Sequence, residues 1–249
     1  MKKQSLHTET SHPTINVIGF GELGNSTIKS ISDINLKHIQ VQLFSTVESY
    51  KPQKETDLLF LIADSTDNYA INQLIKISEI NTNLNILTIA LLSSLNSNIS
   101  DNLKNAVDAF LISPSQLEFT QFTLDSIQSI TNAVRQKGII IFDYADLKSF
   151  IQNSGYCAIG TGIAEGEDKA RKALNQTISS AQLSHLNFKK VSNILIDISP
   201  EDINPTDYHT ITEALQELLA SDTHIKISIT ANKTLHDEIK ISLLCSGIT

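Results

Sequence analysis

Three apolar runs constrain this fold most: Asp57 to Ala63 (DLLFLIA), Ile86 to Leu92 (ILTIALL) and Ala106 to Ile112 (AVDAFLI). A strand without polar alternation has to be covered on both faces, the situation of a parallel sheet with helices on each side. The neighbouring segments fit that arrangement. Ile15 to Ile18 and Ile39 to Phe44 read as two more strands, and Ser26 to Ile34 and Ala70 to Ile80 as helices. A β-α-β order of this kind predicts an α/β, Rossmann-like parallel sheet. A long helix is predicted from Glu118 to Lys137, with Phe119, Phe122, Ile127, Ile130 and Val134 as its apolar stripe and Gly138 as its C-cap.

Beyond Gly138 the texture changes. A helix is predicted from Ala164, with Glu165, Glu167 and Asp168 in its first turn and Lys169, Arg171 and Lys172 behind them, as the helix dipole favours. Val191 to Ser199, His224 to Thr230 and Glu238 to Cys245 read as strands, with a helix from Pro205 to Ser221 after the first. This predicts a smaller α+β domain with some antiparallel pairing. The expected organisation is a disordered polar tail over 1–14, a parallel-sheet domain over 15–117, a central connecting helix over 118–137 and the α+β domain over 138–249.

Composition excludes several partners. The formal net charge of −8 argues against a phosphate-backbone partner, so no nucleic acid is expected. Cys157 and Cys245 offer neither a metal spacing nor a disulfide framework; both read as core residues of a reduced, cytoplasmic protein. No apolar run reaches the length of a bilayer span. His7 and His12, in the polar start, are a weak metal signal, and His185, His209, His224 and His236 follow no triad or metal pattern; no metal is expected.

The first strand runs into Gly19, Gly21 and Gly24, the G-x-G-x-x-G spacing of a dinucleotide-binding turn, with Asn25 following. Three readings are open: a nicotinamide cofactor, another phosphate ligand, or a strand-to-helix turn with no ligand. A nicotinamide dinucleotide calls for an acidic residue ending the second strand, to hold the ribose. That strand ends in Phe44-Ser45-Thr46, and Glu48 comes late.

Residues 138 to 183, GIIIFDYADLKSFIQNSGYCAIGTGIAEGEDKARKALNQTISSAQL, resemble the FtsZ family of tubulin-like cell-division GTPases. The family pattern there runs G-L-x-N-x-D-F-A-D-V, then M-G-x-A-M-M-G-T-G-x-A-x-G-E-x-R-A, then A-I-S-x-P-L-L. The likeness continues through NILIDISPEDINPTDYHTITEALQEL to the closing ISLLCSGI, and INVIGFGELGNS, DLLFLIAD and AVDAFLISPSQL fall in the family's order. The resemblance implies an FtsZ/tubulin-like nucleotide-type, GTPase-type domain over 15–117, in shortened form, and an FtsZ-like C-terminal domain over 138–249. The GTGIAEG stretch around Gly160 and Gly162 would then be a structural turn of the second domain.

The same resemblance assigns site residues. Gly19, Gly21, Gly24 and Asn25 correspond to the family's phosphate loop G-V-G-G-G-G-x-N-A, with Glu22 and Leu23 in place of glycines. Backbone amides approach a phosphate closely only where no Cβ intervenes. The family's G-G-G-T-G-T-G loop after the third strand reads here Asp64-Ser65-Thr66-Asp67-Asn68-Tyr69, without a glycine. Two unit charges roughly 4 Å apart repel by about 4 kcal/mol at an effective dielectric of about 20, so Asp64 and Asp67 oppose a phosphate there. The family's helix and sensing loop between the second and third strands are missing from the short interval between Phe44 and Asp57, and its base-reading aspartate aligns with Thr120. No cofactor is expected on this reading; GTP or GDP is the ligand if the family site still works.

Asp143-Tyr144-Ala145-Asp146 matches the family's D-F-A-D synergy loop, whose carboxylates help polarise the water that attacks the terminal phosphate held by a neighbouring subunit. The loop's asparagine is replaced by Ile141. The residues alone also allow a plainer role, with Asp143 capping a helix that carries Leu147 and Phe150. The implied partners are FtsZ-like subunits, either this chain or a true FtsZ, joined head to tail. No direct membrane contact is expected. The leading expectation is an FtsZ-like cytoskeletal protein that has lost GTP binding and acts by assembly or on the filaments of a true FtsZ. A divergent GTP-hydrolysing filament protein and an NAD(P)-binding Rossmann protein are the alternatives.

Overall fold

The computed structural model describes residues 13–32, 39–43, 47, 50–53, 55–93, 99–135, 140, 142–202, 204–232 and 234–248. Its first sheet is parallel throughout and contains β1 (Ile15–Gly19), β2 (Ile39–Leu43), β3 (Leu58–Asp64), β4 (Leu87–Ser93), β5 (Ala109–Ile112) and the short β6 (Gly155–Tyr156). The strand order is β2-β1-β3-β4-β5-β6. The apolar runs split cleanly between its two faces. Ile15, Val17, Leu58, Phe60 and Ile62 join α1 (Gly21–Ser32) and α4 (Phe119–Arg135), whereas Ile18, Leu59, Leu61 and Ala63 join α2 (Asn68–Thr82) and α3 (Asp101–Ala106). Coverage on both sides explains why these strands carry no polar alternation.

The chain then turns through α5 (Tyr144–Ile151) into a second sheet ordered β7-β10-β8-β9. Its strands are β7 (Ala158–Ala164), β8 (Val191–Pro200), β9 (His224–Ile229) and β10 (Ile239–Ile248). β10 is antiparallel to β7 and β8, and β8 runs parallel to β9. One face carries Ile194, Ile196, Ile198, Ile241 and Leu243 and is covered by α6 (Lys169–Ile178) and α7 (Pro205–Leu218). From the other face Ile159, Leu195 and Leu244 enter the core built around α4. That helix therefore packs against both sheets, and all five residues of its expected stripe are buried.

The structure corrects several sequence-based expectations. α1 starts at Gly21 instead of Ser26, because Gly21 at φ +69° turns the backbone straight from β1 into the helix. The GTGIAEG stretch is not a turn but mostly strand β7, and its glycines seat α6. A Cβ on Gly162 would come within 2.2 Å of the Ala173 carbonyl oxygen, and one on Gly160 within 2.4 Å of Ser180 Oγ. Because β7 runs to Ala164, α6 begins only at Lys169, so Glu165 and Glu167 precede the helix and Asp168 is its N-cap, with no side-chain capping bond. The run at Ala106 divides between the end of α3 and β5. Gly138, Ile141, Phe44 to Thr46, Glu48, His7 and His12 lie outside the described residues.

The two-sided burial of α4 yields a test. Ile127→Ala, at a fully buried position facing the core, should lower the unfolding free energy by about 2–5 kcal/mol. Gln121→Ala, on the exposed side of the same helix, should change it by no more than about 0.5 kcal/mol. Urea denaturation of both variants measures the contrast.

Candidate functional site

In an open parallel sheet a ligand crevice forms beyond the carboxyl ends of the strands, where successive connections leave in opposite directions. Here that point lies between β1 and β3, since the chain passes from β1 outward to β2 and then returns to β3 on the other side. Gly19, Gly21, Gly24 and Asn25 all sit there, on the β1–α1 turn and the first turn of α1. Two of these glycines are accounted for by packing. A Cβ on Gly24 would approach the Ile62 carbonyl oxygen to 2.3 Å, and one on Gly19 would approach the Gly24 carbonyl oxygen to 2.4 Å. The Phe20 N–H donates to the same Ile62 oxygen at 2.8 Å. The turn is pressed against β3 by backbone contact.

Gly21 faces differently. A Cβ there would lie 2.7 Å from Oδ2 of Asp67, so the Asp67 carboxylate stands directly over the glycine turn. Asp67 is held in place as the N-cap of α2, its Oδ1 accepting from Ala70 N–H at 3.0 Å. Asp64, the last residue of β3, accepts from Thr66 N–H (2.9 Å), Thr66 Oγ1 (2.8 Å), Ser93 Oγ (2.9 Å) and Gln116 Nε2 (3.4 Å). Partial burial pushes the Asp64 carboxyl up, but donation from Thr66 and Ser93 outweighs it and leaves the group below its ordinary value. Ser93 and Gln116, as hydrogen-bond partners of Asp64, carry no sequence signal of their own: the first ends β4 and the second lies between β5 and α4. Thr120 on α4 is 3.4 Å, hydroxyl to hydroxyl, from Thr27 on α1, in the same quarter of the molecule.

The second pair of carboxylates is far away. Tyr144 donates through its hydroxyl to the carbonyl of Asp57, just before β3, and Lys148 Nζ donates at 2.8 Å to the carbonyl of Asn85, just before β4. α5 thus lies at the amino ends of the same strands whose carboxyl ends carry Asp64 and Ser93. β3 alone, at about 3.3 Å per residue, puts roughly 20 Å between the two poles. Asp143 is the N-cap of α5, accepting from Asp146 N–H at 2.7 Å. Asp146 is in a 2.6 Å ion pair with Lys226 of β9, whose ammonium also lies 5.9 Å from the centre of the Phe142 ring. The hydrogen bond from Lys226 holds the Asp146 carboxyl below its ordinary value. Lys226 escapes sequence reading because it is one polar position of an alternating strand, and its partner lies far off in the chain.

The remaining candidates do not assemble. Cys157 and Cys245 are buried; burial pushes the Cys157 thiol up to about 12, which leaves it protonated at neutral pH. Among the described residues no cluster of His, Cys, Asp and Glu is arranged to hold a metal ion, and no helix is long and apolar enough to cross a membrane.

Residues 155–249 match the C-terminal domain of the FtsZ family. The cell division protein FtsZ of Coxiella burnetii is 24% identical over 126 residues, covering 50% of this chain and 33% of the relative. That of Wolbachia pipientis is 26% identical over 151 residues, covering 60% of this chain and 46% of the relative. The match therefore spans less than half the length of either relative. Among solved structures, an empty FtsZ dimer of M. jannaschii superposes with a TM-score of 0.78 at 16% identity, over 96% of this chain and 89% of that one. GDP-bound monomeric CetZ1 from Haloferax volcanii gives 0.70 at 10% identity, over 95% and 94%. Likeness at these identities establishes the tubulin/FtsZ fold.

The Lys226 contact predicts a shift that NMR can read. A carboxyl held low is favoured in its charged form, so its contribution to stability is present above the unfolded value and fades as pH falls through the folded one. Lys226→Met should move the Asp146 titration midpoint up towards the ordinary carboxylate range. An unmoved midpoint in a carbon-13 titration would show that the ion pair is not the cause.

Proposed function

We propose that this chain, whose residues 155–249 match the C-terminal domain of the FtsZ family, is an FtsZ-family cytoskeletal cell-division protein that has lost GTP binding and acts through assembly. One observation carries this reading: its two sets of family-type residues lie at opposite ends of one sheet. No single ligand within one subunit can touch both Gly21 and Asp146. Stacked subunits would bring the Asp143–Asp146 end of one against the glycine-turn end of the next, which is what head-to-tail growth requires.

Loss of nucleotide is supported by the residues at the upper pole. Asp67 fills the space over Gly21, and the loop between Asp64 and Asp67 offers no glycine through which backbone amides could approach a phosphate. The α1 N-terminus already faces a carboxylate of its own chain, so an entering triphosphate would meet like charge. These residues do not fit a nucleotide, and no hydrolytic step is assigned to this chain's own crevice. The lower pole retains more. Asp143 and Asp146 could be offered to the nucleotide of a true FtsZ below, making this chain a cap that limits filament length while leaving slow hydrolysis at the junction.

A surviving GTP site is the competing reading, favoured by the retention of Gly19, Gly21, Gly24 and Asn25. Assembly separates the two. Light scattering of the purified chain should be the same with and without GTP and magnesium, and any filaments should persist without turnover. Scattering that rises only on GTP addition would overturn the proposal. Mixed with the FtsZ of the same cell, the chain should shorten filaments and lower phosphate release; Asp143→Ala with Asp146→Ala should lower release further and leave shortening in place. Because Asp143 caps α5, that double variant should also lose about 1 kcal/mol of stability, which thermal unfolding checks independently. No change in filament length or phosphate release on mixing at equal concentrations would refute the capping role.

A further inference from the structure

The face of the second sheet that meets α4 is not uniformly apolar. Register places Thr161 of β7 opposite Ser242 of β10, Ser242 opposite Asp197 of β8, and Asp197 opposite Ser228 of β9. One polar residue from each of the four strands thus forms a continuous row across the sheet. The next row towards α5 is Ile159, Leu244, Leu195 and Lys226, which returns to the ordinary apolar pattern except at its edge. α4 lies against Thr161, Ser242 and Asp197 of this row. Asp197 is 5% exposed, Ser242 5% and Ser228 1%. From the helix, Ser129 Oγ donates to Ser242 Oγ at 3.1 Å. A mostly apolar cavity of about 10 Å³, the room of a single water, is lined by Asp197, Ser242, Ile159, Leu195 and Leu244 on the sheet side and by Ser129, Ile130 and Ala133 on the helix side.

A carboxyl in such a place is costly when charged and close to neutral in cost when protonated. Its hydrogen-bond partners are hydroxyls, which donate to a carboxylate and can accept from a carboxylic acid. Ser199 Oγ lies at 2.8 Å and Thr230 Oγ1 at 3.1 Å, with Ser228 beside them. The charged groups around it are few. Lys240 of β10 acts on it from the adjoining row, Lys226 of β9 is paired with Asp146, and Asp125 of α4 lines a separate recess beside Thr161. Among the described residues no cation forms an ion pair with Asp197. Burial pushes the carboxyl above its ordinary value, against the hydroxyl bonds and Lys240, which pull it down.

We propose that Asp197 is a proton-controlled pin between α4 and the second sheet, tightening that joint when protonated and loosening it when ionised. The direction follows from linkage. An acid that holds its proton more tightly in the folded chain stabilises the fold most below its unfolded value, 3.8, and that stability is lost as pH rises through the folded value. Ionisation draws water towards the small cavity and weakens the packing of Ile130 and Ala133 on the sheet. A helix shared by both sheets would pass such loosening on to their relative placement. Nothing in the nucleotide crevice takes part, so the pin stands whether or not the proposed loss of GTP binding is correct.

The test compares wild type with Asp197→Asn, which keeps the shape and cannot titrate. Denaturant unfolding at pH values from about 4 to about 8 should give unfolding constants that coincide at the acid end and diverge above it, by up to about tenfold per pH unit, the variant being the more stable. Amide exchange in Ser126–Ala133, corrected for intrinsic rates, should lose protection with rising pH in wild type but not in the variant. Parallel stability curves would overturn the proposal, and so would equal pH dependence of exchange. If the variant does not fold, a carbon-13 titration of the Asp197 carboxyl in the wild-type chain decides. A midpoint above 3.8 supports the pin, and one at or below it refutes the pin.

Discussion

Everything in this molecule is positioned by a helix buried from two sides. α4 buries Phe119, Ile127 and Ile130 in one core with Val17, Phe60 and Leu91 of the first sheet and Ile159, Leu195 and Leu244 of the second. Burying a large aliphatic or aromatic side chain contributes about 1.5–3 kcal/mol, so this single helix couples the two sheets more firmly than any polar contact between them. It also sets direction. The helix leaves the carboxyl end of β5 and returns the chain to the amino ends of β3 and β4, which is why α5 with Asp143 and Asp146 lies opposite the glycine turn.

That separation gives the two ends different chemistry. The upper end holds two carboxylates fixed by the chain's own donors: Asp64 by Thr66 and Ser93, Asp67 by the first turn of α2. The lower end holds one carboxylate used as a helix cap and another used in an ion pair. None of the four is an orphan awaiting a ligand. Asp146 is nevertheless exposed enough, at 36%, for a second protein surface to compete with Lys226, because an exposed pair of this kind is worth no more than about 1 kcal/mol.

The sequence made the centre of the first sheet legible because β3 and β4 are continuous apolar runs, whereas the two-residue edge strand β6 carries no such pattern. The long helix was legible for a similar reason: five apolar residues at helical spacing all turn out buried. Capping of α5 by Asp143 could be read as well, since the spacing to Leu147 and Phe150 marks the start of a short amphipathic helix. β7 was not legible. Its Ala-Ile-Gly-Thr-Gly-Ile-Ala sequence looks like a loop, and its glycines make sense only when α6 is seen lying 2.2 Å from a would-be Cβ. The partners of Asp64 and Asp146 were equally hidden. Ser93, Gln116 and Lys226 are ordinary polar residues whose roles arise from strand order, which no local pattern records.

The central claim is that the chain's own carboxylates close the crevice at the end of β1 and β3. Calorimetric titration with GTP and magnesium tests it most directly, performed on the wild-type chain and on Asp64→Asn with Asp67→Asn. The account predicts no saturable heat for wild type at micromolar nucleotide, with any binding confined to the double variant, where the like charge has been removed. Saturable one-to-one binding by wild type at least as tight as by the double variant would contradict it.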